Sequence, residues 1–205
     1  NNETLLFLQS TATELGITIQ GSRTLIPSPN AKATNNATII APDGRLLCEY
    51  AKIHPFTFGK EPEAFAGGDE SCLYTWTADN ESLQVCPAVC YDLRFPELFR
   101  RGLLAGAEAF AIGANWPQTR QAHWRALAIA RAIENQAYVF AVNRTGSDPH
   151  LAYAGGSIAI DPQGKVLGEL DEKPDTLTVE VHPENVRNWR STFPAWRDLK
   201  IRTLN

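Results

Sequence analysis

Apolar positions change period along this chain, and the changes divide it into elements. Over residues 4–15, Leu5, Leu8, Ala12 and Leu15 recur at helical spacing, and Gly16 closes that pattern ahead of a short strand at 17–20. Strand-like runs at 37–41 and 46–50 flank Pro42-Asp43-Gly44-Arg45, a turn signal that predicts a β-hairpin. A second hairpin of the same form is predicted at 157–160 and 165–170, around Asp161-Pro162-Gln163-Gly164. Between the hairpins the pattern alternates, with strands over 84–90, 109–113 and 138–143 and helices over 97–107 and 121–136. In the second of these helices Ala126, Ile129, Ala130, Ile133 and Ala137 form one stripe, widened by Trp124 and Leu127, which predicts burial over much of its circumference.

Alternating strands and helices joined to hairpins predict an α/β domain, with mixed sheet and helices packed outside it. No linker or low-complexity tract interrupts the chain, so a single domain is expected over 1–205. Composition adds little, since 43% hydrophobic and 20% charged residues are ordinary for a globular domain. The formal charge of −4 argues against a nucleic-acid or anionic-membrane partner. No apolar run approaches the roughly 20 residues of a membrane span, and no basic-then-apolar leader opens the chain, so a cytoplasmic protein is expected. The four cysteines, Cys48, Cys72, Cys86 and Cys90, lack the dense spacing of a disulfide scaffold and are expected to be reduced. Neither they nor His54, His123, His150 and His182 fall at zinc-ligand spacing, so no metal and no cofactor are expected.

Candidate chemistry centres on Cys90. It ends the run Leu83-Gln84-Val85-Cys86-Pro87-Ala88-Val89 and precedes Tyr91-Asp92-Leu93-Arg94-Phe95-Pro96-Glu97, in which Pro96 suits a first helical turn. A thiol between a strand end and a helix start faces unpaired N–H groups that favour the nucleophilic thiolate. The plain alternative is a small buried core residue.

Four stretches resemble the nitrilase (carbon-nitrogen hydrolase) superfamily and, within it, the omega-amidase branch. They are residues 50–56, residues 89–97, Asn115-Trp116-Pro117 with Arg120, His123 and Trp124, and residues 130–136. Residues 142–146 and Phe193-Pro194-Ala195-Trp196 add to the match. The resemblance implies a four-layer αββα sandwich that assembles as a homodimer or higher homo-oligomer. It implies Cys90 as nucleophile, Lys52 as the family's lysine and Glu61 as the glutamate supporting that lysine, with Glu63 as a rival. Lys52 and the Tyr91 N–H would hold the oxyanion. Asn115, Trp116 and Arg94 are pocket candidates, and Glu134 either pairs with Arg131 on its helix or braces the loop behind the nucleophile. His54 and His123 are expected to be structural or pocket-lining.

The implied activity is hydrolysis of a small linear carboxamide, such as 2-oxoglutaramate, to carboxylate and ammonia through a thioester. Arg94, Arg120 and Arg144 are open candidates to receive the carboxylate of such a substrate. The alternatives are a nitrilase or N-carbamoyl amidase on the same fold, or a noncatalytic binding module. One departure bears on that choice. The family's general-base glutamate, expected at the end of an early strand, has no match, since Glu3 has no strand ahead of it and Glu14 lies within the first predicted helix. The sequence therefore reads as lacking the N-terminal segment that carries the base.

Overall fold

The computed structural model describes residues 2–78 and 80–201. Helix α1 (Glu3–Leu15) leads into a meander of β1 (Ile19–Leu25), β2 (Ala33–Ile40) and β3 (Leu46–Ala51), followed by the short α2 (Glu61–Ala64) and β4 (Phe65–Ala66). Strands β5 (Tyr74–Ala78) and β6 (Glu81–Val89) come next, then α3 (Pro96–Leu104), β7 (Ala109–Ala114), α4 (Gln121–Asn135) and β8 (Tyr138–Asn143). A small hairpin of β9 (Thr145–Ser147) and β10 (Ala152–Ala154) precedes β11 (Ile158–Ile160), β12 (Val166–Glu169) and α5 (Pro183–Thr192).

These elements build two stacked sheets. The first runs β1-β2-β3, all antiparallel, with β4 added parallel to the start of β2. The second runs β12-β11-β8-β7-β6-β5, in which β6, β7 and β8 are parallel and the outer pairs antiparallel. Helix α1 covers the outer face of the first sheet, burying Leu8 and Ala12 against Ile40. Inward side chains of that sheet, Ala37, Ile39, Cys48 and Tyr50, join those of the second sheet in the main core. Helices α3 and α4 pack together on the far side of the second sheet. The order helix, sheet, sheet, helix is the αββα sandwich expected from the resemblance.

Both Asp-Gly or Gln-Gly hairpins form where expected, with Gly44 and Gly164 in left-handed conformations (φ 82° and 89°) that the turns require. Two expectations fail. The buried face of α4 carries Trp124, Ala128, Arg131, Ala132 and Asn135, whereas Ile133 is 53% exposed. The apolar stripe misidentified the face because two of its truly buried positions are polar residues with hydrogen-bonding work to do. The second correction concerns the cysteines. Cys48 and Cys72 are joined in a disulfide, and only Cys86 and Cys90 are free.

Candidate active site

Strand parity sets the position of Lys52. Along β3, Cys48 and Tyr50 point into the core while Glu49 points out, where it pairs with Arg23 at 2.5 Å and accepts from Thr38 and Asn36. Lys52, in phase with Tyr50, turns inward, so a Lys52–Glu49 surface pair does not form. Its main chain is fixed on both sides, the N–H donating to the Asn35 carbonyl (2.8 Å) and the carbonyl accepting from Gly68 (2.9 Å). A side chain at Gly68 would meet the Ala51 carbonyl oxygen at 2.5 Å, which accounts for glycine beside this segment.

The nearly buried Lys52 ammonium lies 2.5 Å from Glu61 Oε2 at the start of α2. The same oxygen accepts the Phe56 N–H (2.6 Å), and Oε1 accepts the Asn35 amide (3.1 Å). Burial alone would raise the Glu61 carboxyl. The bond from Lys52, then those from Phe56 and Asn35, outweigh it and hold the group below its ordinary 4.5. Glu63, the rival for this position, is exposed and reaches only Lys60, at 3.8 Å.

Cys90 stands at the end of β6, at the first position of a 3-10 turn (Cys90–Arg94) that precedes α3. Its φ of 49° is left-handed, uncommon for a residue with a side chain. The turn is held from beneath by a residue that was not singled out from the sequence. Asp92 is fully buried; its Oδ2 accepts the Tyr50 hydroxyl (2.8 Å) and the Val89 N–H (2.9 Å), and its Oδ1 accepts the His54 N–H (3.0 Å) and touches His54 Nδ1 (2.8 Å). The His54 ring stacks on Phe95 at 3.8 Å. His54 is thus a bracing residue, as expected.

The environment of the thiol differs from expectation. Burial pushes the Cys90 thiol up from its ordinary value, and the Lys52 charge opposes this without overcoming it. Its Sγ–H is directed at the Asn115 carbonyl oxygen at 3.9 Å. Tyr91 follows within the first turn, where N–H groups lack intrahelical acceptors, and its ring packs against Phe56 and Phe95.

The remaining candidates gather around this centre. Asn115 and Trp116 follow β7, and their segment is pinned by Asn143 at the end of β8. Asn143 accepts the Trp116 N–H (2.7 Å) and donates to the carbonyls of Trp116 (3.2 Å) and Gly155 (2.7 Å). The Arg94 guanidinium lies over the Trp116 ring at 4.8 Å and contacts His123 Nδ1 at 3.3 Å. Glu134 does not reach the cavity. It holds Arg131 (2.8 Å), and Arg131 in turn donates from Nε and Nη2 to the Leu93 carbonyl (3.1 and 2.8 Å) on the Cys90–Arg94 turn. Both readings of Glu134 are therefore met: it pairs on its helix, and through Arg131 it braces the turn.

Lys52, Glu61, Cys90, Tyr91, Arg94, Asn115 and Trp116 all line one cavity of about 780 Å³. Its far wall comes from Gln20 on β1 and from β7 and β8, and Leu151 and Tyr153 of the small hairpin edge it. Among the described residues Glu61 is the only carboxylate lining it, and both its oxygens are engaged. Glu3 and Glu14 are exposed on α1, outside the first sheet. No group of three or more His, Cys, Asp or Glu side chains able to hold a metal occurs among the described residues.

Sequence and structure comparisons place the chain, with its αββα sandwich, among known proteins. Residues 1–191 match the carbon-nitrogen hydrolase family, and the chain belongs to it. It is 33% identical to a 2-oxoglutaramate amidase of Paenarthrobacter nicotinovorans over 203 residues, covering 97% of this chain and 69% of that protein. It is 37% identical to the omega-amidase YafV of Escherichia coli over 168 residues, covering 81% of this chain and 63% of that protein. Among solved structures, a CN-hydrolase superfamily protein of Xanthomonas campestris with an arsenic adduct in its active site aligns at a TM-score of 0.90. That match is 34% identical and covers 98% of this chain and 76% of that one. The chain spans about two thirds of the length of these curated relatives.

Proposed function

We propose that the chain carries the cysteine-dependent centre of an amidase that cleaves a small linear carboxamide, 2-oxoglutaramate or a close analogue, to the carboxylate and ammonia. The observation that carries this reading is the convergence of Cys90, Lys52 and Glu61 in one cavity, with the lysine ion-paired to a carboxylate that the Phe56 N–H and the Asn35 amide hold in place. In the reaction the Cys90 sulfur adds to the amide carbon. The developing oxyanion is stabilised by the Lys52 ammonium and the Tyr91 N–H, the C–N bond breaks as the thiol proton passes to the departing nitrogen to give ammonia, and water cleaves the thioester to the carboxylate and the free thiol. Asn115, Trp116 and Arg94 bound the substrate. The similarity to a 2-oxoglutaramate amidase and an omega-amidase supports the substrate class.

A second reading rests on the carboxylates. Because Glu61 is saturated and alone at the cavity among the described residues, a chain that binds or acylates without turning over also fits. Ammonia release assayed over 2-oxoglutaramate, neutral amides, N-carbamoyl amines and nitriles, with intact mass of the protein recorded in parallel, separates the readings. Multiple turnovers of 2-oxoglutaramate, abolished in C90S, support the amidase. A preference for nitriles or N-carbamoyl amines overturns the substrate, and a persistent acyl adduct without ammonia in excess of protein favours the second reading.

A homo-oligomer belongs to the same reading, and the cytoplasmic location expected from the sequence does not. The Cys48–Cys72 bond argues against a strongly reducing compartment, and thiol counting on freshly isolated protein, with light scattering for the assembly, tests both points.

A further inference from the structure

The charges of the cavity do not balance. Lys52 is neutralised by Glu61, which leaves the guanidinium groups of Arg94 and Arg120 as two uncompensated positive charges lining a site in a protein of net charge −4. A concave, partly apolar site with excess positive charge concentrates anions. The three arginines left open by the sequence now differ in their surroundings. Arg144 is occupied: it donates to the Ser147 carbonyl at 3.0 Å, lies 4.0 Å from Asp148 and covers the Tyr153 ring, and it does not line the cavity. Arg94 lines it, but its guanidinium is spread on Trp116 and shared with His123.

Arg120 is different. It ends the 3-10 turn Gln118–Arg120, and its carbonyl is held by the Trp116 indole N–H at 2.8 Å, so its backbone is anchored to the pocket floor. Its guanidinium lies 5.6 Å from the Phe56 ring centre. It makes no ion pair and no hydrogen bond among the described residues. A planar five-donor group, stacked on one face and open at its edge, is suited to a bidentate carboxylate.

We infer that Arg120 is the specificity residue of this site, receiving the carboxylate at the far end of an acidic carboxamide whose amide carbon faces Cys90. This deepens the amidase reading and rests on it. Arg120 selects the substrate and takes no part in bond breaking, so its loss weakens recognition of acids and leaves the chemistry at sulfur in place.

The test uses an alkylator of substrate-like length, 5-chloro-4-oxopentanoate, and its neutral methyl ester. Sulfur displaces chloride in each, and the Cys90 adduct is followed by mass. The quantity read is the ratio of the two rates, because the ester rate reports thiol reactivity and folding in each variant. We expect wild type to favour the acid, R120Q to lower the ratio about tenfold or more, R120K to fall between them, and R144Q to match wild type. A ratio that R120Q changes by less than about threefold overturns the assignment to Arg120. Absence of any acid preference in wild type overturns the acidic-substrate reading itself.

Discussion

Asp92 and His54 are joined twice, the single carboxylate oxygen Oδ1 accepting the His54 main-chain N–H at 3.0 Å and meeting its ring Nδ1 at 2.8 Å. Asp92 lies two residues after Cys90 and His54 two residues after Lys52. The contact therefore ties the turn bearing Cys90 to the segment bearing Lys52, and its other oxygen adds Tyr50 and Val89 to the tie. The positions of thiol and ammonium relative to one another are set by a buried carboxylate that touches neither.

Replacing Asp92 tests this directly. D92A leaves the Tyr50 hydroxyl and the main-chain N–H groups of Val89 and His54 without their acceptor in a dry site, and should cost about 3 kcal/mol or more of stability. D92N keeps the shape and one acceptor oxygen, and should cost about 1–3 kcal/mol. Urea denaturation with an unchanged m-value reads the loss. A D92A midpoint within error of wild type would show that Asp92 does not hold these two segments together.

Thiol labelling separates the four cysteines. Cys86 is buried, and burial pushes its thiol up to about 12, so it should remain unmodified by iodoacetamide in the native protein. Cys48 and Cys72 are protected by their bond. Cys90 alone should react, and because burial holds its thiol above the ordinary value, its rate should climb with pH beyond about 9. K52M removes the positive charge that opposes the rise of the Cys90 thiol, so the midpoint should move further upward and the rate near pH 7.5 should fall about tenfold. A pH profile identical in K52M and wild type would show that the ammonium does not act on the sulfur.

Much of this architecture was legible in the chain because local signals agreed with the fold. The Asp43-Gly44 turn and the alternation through Tyr50 predicted the hairpin that sends Lys52 inward, and the apolar run through Val89 predicted the strand that ends at Cys90. The elements missed were those stabilised by distant contacts. Helix α5 has few apolar residues and is held through Arg190, which donates to the carbonyls of Gln136, Ala107 and Asn135. Strand β5 is short and gains definition by pairing with β6. The raised thiol is not legible for a related reason: nearness to a cation can be read from the family pattern, whereas burial depends on side chains from both sheets. Asp92 and Asn143 were passed over because a lone acid or amide gives no periodic signal; their proximity to strand ends carrying site residues was the cue available.

Acid should weaken the fold partly through Glu61. A carboxylate whose folded value lies below its unfolded one stabilises the native state in full above the ordinary range near 4.5, and that contribution disappears as pH falls through the lowered value. E61Q has no proton to gain there. Wild type should therefore lose stability more steeply than E61Q between about pH 5 and pH 3 in denaturation series, and parallel curves would contradict the assignment.

The last prediction concerns Arg131 and Glu134, which act on the Cys90–Arg94 turn in series. Arg131 is buried, stacks on Phe99 and supplies two hydrogen bonds to the Leu93 carbonyl, whereas Glu134 is 31% exposed at its side chain and contacts only the far end of that guanidinium and the Asn135 amide. R131M deprives a buried carbonyl of both donors and should cost about 2–3 kcal/mol, and the relaxed turn should slow Cys90 labelling even where the variant is fully folded. E134Q retains a carbonyl to accept from Arg131 and loses a partly screened ion pair, so its cost should stay below about 1 kcal/mol, with labelling close to wild type. Had Glu134 acted on the substrate itself, the order would reverse, with E134Q losing labelling or turnover while its stability held. Denaturation and labelling measured on the same pair of variants therefore distinguish a brace from a participant, since only a brace transmits its effect through Arg131.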